Sequence, residues 1–160
     1  MATIAARAFT KLFDSQVIDI CANLSKLAEC ELTLTGAPGL DEQQDLIVQK
    51  YYDFVASLRD PCLTEKRSIK FQELVAYIGL HFTIENSLME MVQYPKQVLH
   101  RKQHTSFIDR INIIILDVHA EKAPINDLVL YIGHWLLGHV LIADREFADF
   151  QATINPPPLH

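Results

Sequence analysis

The stretch HFTIENSLMEMVQYPKQVLHRKQH, residues 81 to 104, constrains the fold more than any other part of the chain. It is apolar and helix-compatible on both sides of Tyr94-Pro95, and a proline there ends one helix and opens another, so two helices meet at that point. Each half carries a pair of ligand-type side chains four residues apart, His81 with Glu85 and His100 with His104. A four-residue step leaves two side chains about 40° apart on an α-helix, so each pair projects from one face. A third pair, His139 and Asp144, is five residues apart, about 140° on a regular helix, which still lets both lean into an interior from adjacent turns. Imidazole and carboxylate without thiolate suit iron, manganese or zinc, and carboxylates on facing helices can bridge two metals. One such histidine alone is more often a core or surface residue. Three ordered pairs, each on an apolar face, make a metal site the better reading.

The rest of the chain supplies helices for these pairs to face. From Ala5 to Ala28 the apolar positions recur at i, i+3, i+4 and i+7, the pattern of an amphipathic helix. Gly36, Pro38 and Gly39 then break the chain, and Asp41 stands where the N-cap of a second helix belongs, running to about Leu58. A third helix starts near Thr64 and puts Phe71, Leu74, Val75, Ile78, His81, Phe82, Glu85, Leu88 and Met91 on one face until Tyr94-Pro95. The fourth runs from Pro95 to about His119, and the fifth from Pro124 to about Thr153, where Pro156 to Pro158 forbid continuation. The expected fold class is all-α, an up-and-down four-helix bundle over residues 31–153. Residues 1–30 form an additional N-terminal amphipathic helix for packing or dimerisation, and residues 154–160 a flexible Pro-rich tail.

Length and charge bound the function. A chain of 160 residues is about one domain and can bury a real core. A net charge of -6 and a pI near 5.6, with no Lys/Arg stripe, argue against nucleic acid or an anionic membrane as partner. The opening MATIAARAFTKLFDSQ lacks the apolar core and cleavage site of a secretory signal, so a cytoplasmic location is expected. The most apolar window, LVLYIGHWLLGHVLIA, is interrupted by two histidines and falls short of the roughly 18 to 20 residues that span a bilayer, so it reads as a buried helix. Cys21, Cys30 and Cys62 form no CxxC pair and read as small fillers. His134 reads as a rim residue and His119 as a cation in the last turn of its helix. Tyr51, Tyr52, Phe82, Trp135 and Leu136 read as core.

With HFTIE, HRKQH and HVLIAD in this order, the chain resembles the hemerythrin family, whose HxxxE, HxxxH and HxxxxD motifs they match. The Tyr-Pro turn and Trp135, four residues before the third motif, agree, and the resemblance covers about Glu31 to Phe150. It implies two non-haem iron ions, oxo- or hydroxo-bridged, inside a four-helix bundle, with O2 as ligand. Carried over by residue, His100, His104 and His139 would hold one iron, His81 the other, and Glu85 and Asp144 would bridge them. One ligand differs. Bacterial hemerythrins open their first bundle helix with IDEQH, and the segment here is LDEQQ, which puts Gln44 where a histidine of the second iron belongs. Asp41 and Asp45 are the nearby substitutes, but Asp41 is taken up by the cap and Asp45 points about 100° away.

Two roles for Gln44 stay open: its amide oxygen ligates the second iron, or its amide N–H donates to a bound oxygen species. Three classes of function follow. The first is a carrier or sensor of O2, or of another small diatomic or peroxide. The second is a diiron oxidase or peroxidase-like enzyme using a more open second iron, and the third a metal-poor interaction module. A mean hydropathy of +0.10 favours a homodimer through the N-terminal helix.

Overall fold

The computed structural model describes residues 38–59 and 66–154. The expected helix from Ala5 to Ala28, the three cysteines and the tail beyond Ile154 lie outside the described residues. Within them the chain forms α1 (Pro38–Arg59), α2 (Arg67–Met91), α3 (Gln97–His119) and α4 (Ile125–Gly138). A π-helical turn (His139–Asp144) then runs straight into α5 (Arg145–Ile154). Because α4, the π turn and α5 are continuous, the architecture is four helical rods, and no strand occurs among the described residues. The all-α bundle is the expected one.

Two boundaries differ from expectation. α1 already runs through Asp41, so that residue is not the N-cap of the helix. α3 begins at Gln97 rather than Pro95, because a tight turn intervenes: Gln93 takes a positive φ of 53°, and the Tyr94 amide donates to the Met89 carbonyl at 2.8 Å. That turn seats Tyr94 against Phe147 and Phe150, with ring centroids 5.1 and 5.2 Å away. At the other end, Arg67 donates to the carbonyls of Ser57 and Leu58 at 2.9 and 3.3 Å. A guanidinium there satisfies carbonyls in the last turn of α1 and suits the negative end of its dipole.

The interior is layered. Ile47, Tyr51, Phe54, Leu74, Ile78, Phe107, Ile111, Val129 and Ile132 belong to one apolar cluster contributed by all four rods. Leu40, Met89, Tyr94 and Phe147 form a second, smaller cluster. α1, α2 and the fourth rod pass from one cluster to the other through buried polar residues, Gln44, His81 with Glu85, and His139 with Asp144, and α3 adds buried His100 and His104 ahead of its apolar members. Burying a large aliphatic or aromatic side chain stabilises by about 1.5–3 kcal/mol. The two clusters therefore clamp a polar layer that has no such gain of its own.

Among the expected core residues, Tyr51, Phe82 and Leu136 are buried, whereas Tyr52 and Trp135 are half-buried against the core. Met91 is 76% exposed, and Met89 takes the inward place. The rod Ile125–Ile154 is 30 residues long and, by length and composition alone, apolar enough to cross a membrane. This corrects the expectation that its apolar window is too short. The rod also carries His139 and Asp144 into the bundle interior.

A candidate metal centre

Helix geometry accounts for how the pairs converge. His81 and Glu85 on α2, and His100 and His104 on α3, are successive-turn neighbours on regular helices, and all four are buried. His139 and Asp144 reach the interior differently. They are the first and last residues of the π turn. Hydrogen bonds from i to i+5 widen that turn, so five residues come close to one full revolution and both side chains face the same way. This replaces the 140° divergence expected for a regular helix and explains why the third motif is one residue longer than the other two.

Ligand-type atoms of Glu85, His100, His104, His139 and Asp144 lie within 4.8 Å of one another. His100 Nε2 is 3.1 Å from Glu85 Oε2 and 3.3 Å from Asp144 Oδ1. His104 Nε2 is 3.2 Å from Glu85 Oε2, and His139 Nε2 is 3.0 Å from Asp144 Oδ1. His81 stands slightly apart, its Nε2 3.9 Å from Glu85 Oε2 and 4.0 Å from Asp144 Oδ2. Despite these approaches, both oxygens of Glu85, Nε2 of His100 and Oδ1 of Asp144 are buried without a hydrogen-bond partner. Each buried polar atom left unmade costs about 1–3 kcal/mol. Atoms that crowd together without hydrogen-bonding one another are arranged as donors to a common cation, and imidazole with carboxylate fits iron. The residues present therefore fit the metal that the sequence implies.

The electrostatics agree. Burial alone would pull the His100 imidazole down, but the carboxylates of Asp144 and Glu85 outweigh it and push it up to about 9. Burial dominates at His104 and drives it down to about 4, so its ring is neutral at pH 7. Burial opposes ionisation of Asp144, yet His100 and His139 hold its carboxyl well below the usual carboxylate range. Glu85 is disfavoured by burial and by the charge of Asp144, and His100 and His104 still bring it below its ordinary value. The pull that two buried carboxylates exert on an imidazolium is the pull they exert on a metal cation.

Neighbours fix the ring orientations. His104 Nδ1 lies 3.2 Å from Asn86 Oδ1. The amide oxygen only accepts, so Nδ1 carries the proton and Nε2 keeps its lone pair toward the cluster. That lone pair meets His139 Nε2 at 2.9 Å. Phe82 stacks on His104 at 3.7 Å, Trp135 stacks on His139 at 4.1 Å, and Phe107 stacks on Trp135 at 4.0 Å, so an aromatic wall closes one side of the cluster.

Gln44 lies on α1 and is buried beside the cluster. Its Nε2 donates to Asp144 Oδ2 at 2.8 Å, and its Oε1 is buried without a partner. Asp45 is exposed and is no substitute ligand. His119 and His134 are exposed and stand apart from the cluster. Two features escaped sequence reasoning. Asn86 carried one signal, a polar residue directly after Glu85 in an apolar helix. The π turn carried another, a motif spacing of five where four would keep a regular helix in phase.

Three comparisons bear on the chain. It is 31% identical over 80 residues to the bacteriohemerythrin of Clostridium acetobutylicum, covering 48% of this chain and 61% of that protein. It is 32% identical over 77 residues to the bacteriohemerythrin of Stenotrophomonas maltophilia, covering 48% and 50%. It is 25% identical over 109 residues to the myohemerythrin of Sipunculus nudus, covering 68% and 79%. The match therefore spans less than two thirds of either bacterial relative's length. No protein-family profile matches the chain, and no solved structure does.

Proposed function

The chain belongs to a hemerythrin-like family, and on that premise we propose that it is a non-haem iron protein binding O2 or a related small oxidant at a two-metal site. One observation carries the reading: ligand-type atoms of five residues converge within 4.8 Å, and buried atoms of three of them, Glu85, His100 and Asp144, have no hydrogen-bond partner. His100, His104 and His139 would hold one metal with Glu85 and Asp144, and His81 would hold the second beside the same two carboxylates. When bound, iron supplies an open coordination position and exchangeable electrons for the oxidant.

The chain's own residues do the rest. Asn86 keeps the His104 lone pair inward, Trp135 and Phe82 lock the ring planes of His139 and His104, and the two apolar clusters keep bulk water from the layer. A second reading is an oxidase or peroxidase-like enzyme. Gln44 favours it, because its amide N–H is spent on Asp144 and the position beside His81 gains no imidazole in its place. Iron content and the visible spectrum in air test the first reading. Catalytic loss of added hydrogen peroxide by the iron-loaded protein selects the second.

A further inference from the structure

The two oxygens of Asp144 face different neighbours. Oδ1 lies 3.0 Å from His139 Nε2 and 3.3 Å from His100 Nε2, whereas Oδ2 lies 2.8 Å from Gln44 Nε2 and 4.0 Å from His81 Nε2. An ionised carboxylate only accepts hydrogen bonds, so the donor end of the Gln44 amide is the end that must meet it. The N–H therefore occupies a lone pair on the oxygen that faces His81. Gln44 is 5% exposed, and Leu40 and Ile47, one turn away on either side, are also buried, so the amide is shielded from bulk solvent.

We propose that Gln44 sets the unequal strength of the two metal positions: it anchors Asp144 through Oδ2, which strengthens the position among His100, His104 and His139, and it covers the oxygen that the position beside His81 needs. The inference rests on the metal-binding reading above. A hydrogen bond to a ligating carboxylate fixes its orientation and supports the metal it holds. On the far oxygen the same N–H competes with a cation for lone-pair density. Gln44 thus acts as a positioning residue for one metal and an obstacle to the other. A missing imidazole by itself acts differently. It weakens the position beside His81, leaves the other untouched, and makes the identity of any non-ligating residue at 44 immaterial.

Anaerobic titration with ferrous ion against a competing chelator, read by calorimetry, separates these accounts. The native chain is compared with Gln44→Leu, and with Gln44→Met as a longer apolar replacement should the leucine variant lose its helical circular dichroism. The expected result is a pair of opposite changes. The tight step weakens on the order of 10- to 100-fold, as for loss of an outer partner of a metal ligand. The weak step strengthens by about tenfold, as for release of a hydrogen bond to a charged group. Two steps unchanged by substitution would overturn the inference alone. Two steps weakened together would also overturn it, because they would make Oε1 of Gln44 a ligand. A native chain that takes up no ferrous ion would overturn the metal reading and this inference with it.

Discussion

The indole of Trp135 lies nearly parallel to the imidazole of His139, 4.1 Å between centroids and 16° between planes. Its other neighbours are Phe107, stacked at 4.0 Å, and Phe82, edge-on at 5.5 Å. One half-buried side chain thereby joins the apolar cluster to a residue of the candidate site. Trp135→Ala is expected to destabilise the fold by about 3 kcal/mol, the low end for a large aromatic because the ring is only half-buried. It should also speed the loss of metal to a chelator, since His139 is then free to turn. Urea unfolding midpoints and chelator kinetics check both. Unaltered metal release would remove Trp135 from any role at the site.

Asn86 accepts from His104 Nδ1 at 3.2 Å, and its replacement tests whether that contact sets the tautomer. Asn86→Leu should lower metal affinity on the order of 10-fold while leaving the melting temperature of the metal-free protein within a few degrees. Competition titration with cobalt(II) measures the first and thermal circular dichroism the second. Equal cobalt affinity in the two proteins would show that His104 keeps its lone pair inward without Asn86.

The sequence made the regular part of this site legible and left the irregular part dark. His81 with Glu85 and His100 with His104 sit on ordinary α-helices, where a four-residue spacing translates directly into a shared face, and the structure gathers them with no surprise. His139 and Asp144 do not obey that rule, because the π turn changes the angle per residue between them. Met91 and Met89 show the same limit on a smaller scale. Both continue the stripe of α2, Met91 three residues after Leu88 and Met89 four after Glu85, and only packing against Tyr94 and Phe147 decides that Met89 is the one inside. The partner of Gln44 lies 100 residues away, a distance that no local pattern reports.

Metal uptake should be pH-dependent through His100. Its imidazole is raised to about 9, so below that pH it must release a proton before it can ligate, and metal competes with that proton. Affinity should therefore rise by about tenfold per pH unit toward pH 9 and level off above it. His104, lowered to about 4, is already neutral across this range and adds no slope. Cobalt(II) competition at a series of pH values gives the slope, and a profile flat below pH 9 would show that His100 is not a ligand.

Removing the metal should cost stability, since the unfolded chain has no preformed site and binding free energy is folding free energy. At metal concentrations a hundredfold above Kd the gain is about 2.7 kcal/mol, which corresponds to a melting temperature higher by roughly 5–10 °C. Scanning calorimetry of loaded and chelator-stripped protein reads the shift. Coincident melting curves would mean that the buried carboxylates and imidazoles are satisfied within the protein itself.

A buried layer of histidines and carboxylates that holds iron meeting O2 must retain the metal and respond to air. The most direct measurement reconstitutes the native chain and a His104→Ala variant with ferrous iron without air, desalts both, determines iron per chain, and follows the visible spectrum as air is admitted and withdrawn. The native chain is expected to retain iron and develop a visible absorption on exposure to air, and the variant to lose most of both. A native chain that emerges colourless and iron-free, or a variant that matches it in iron and spectrum, would contradict the account.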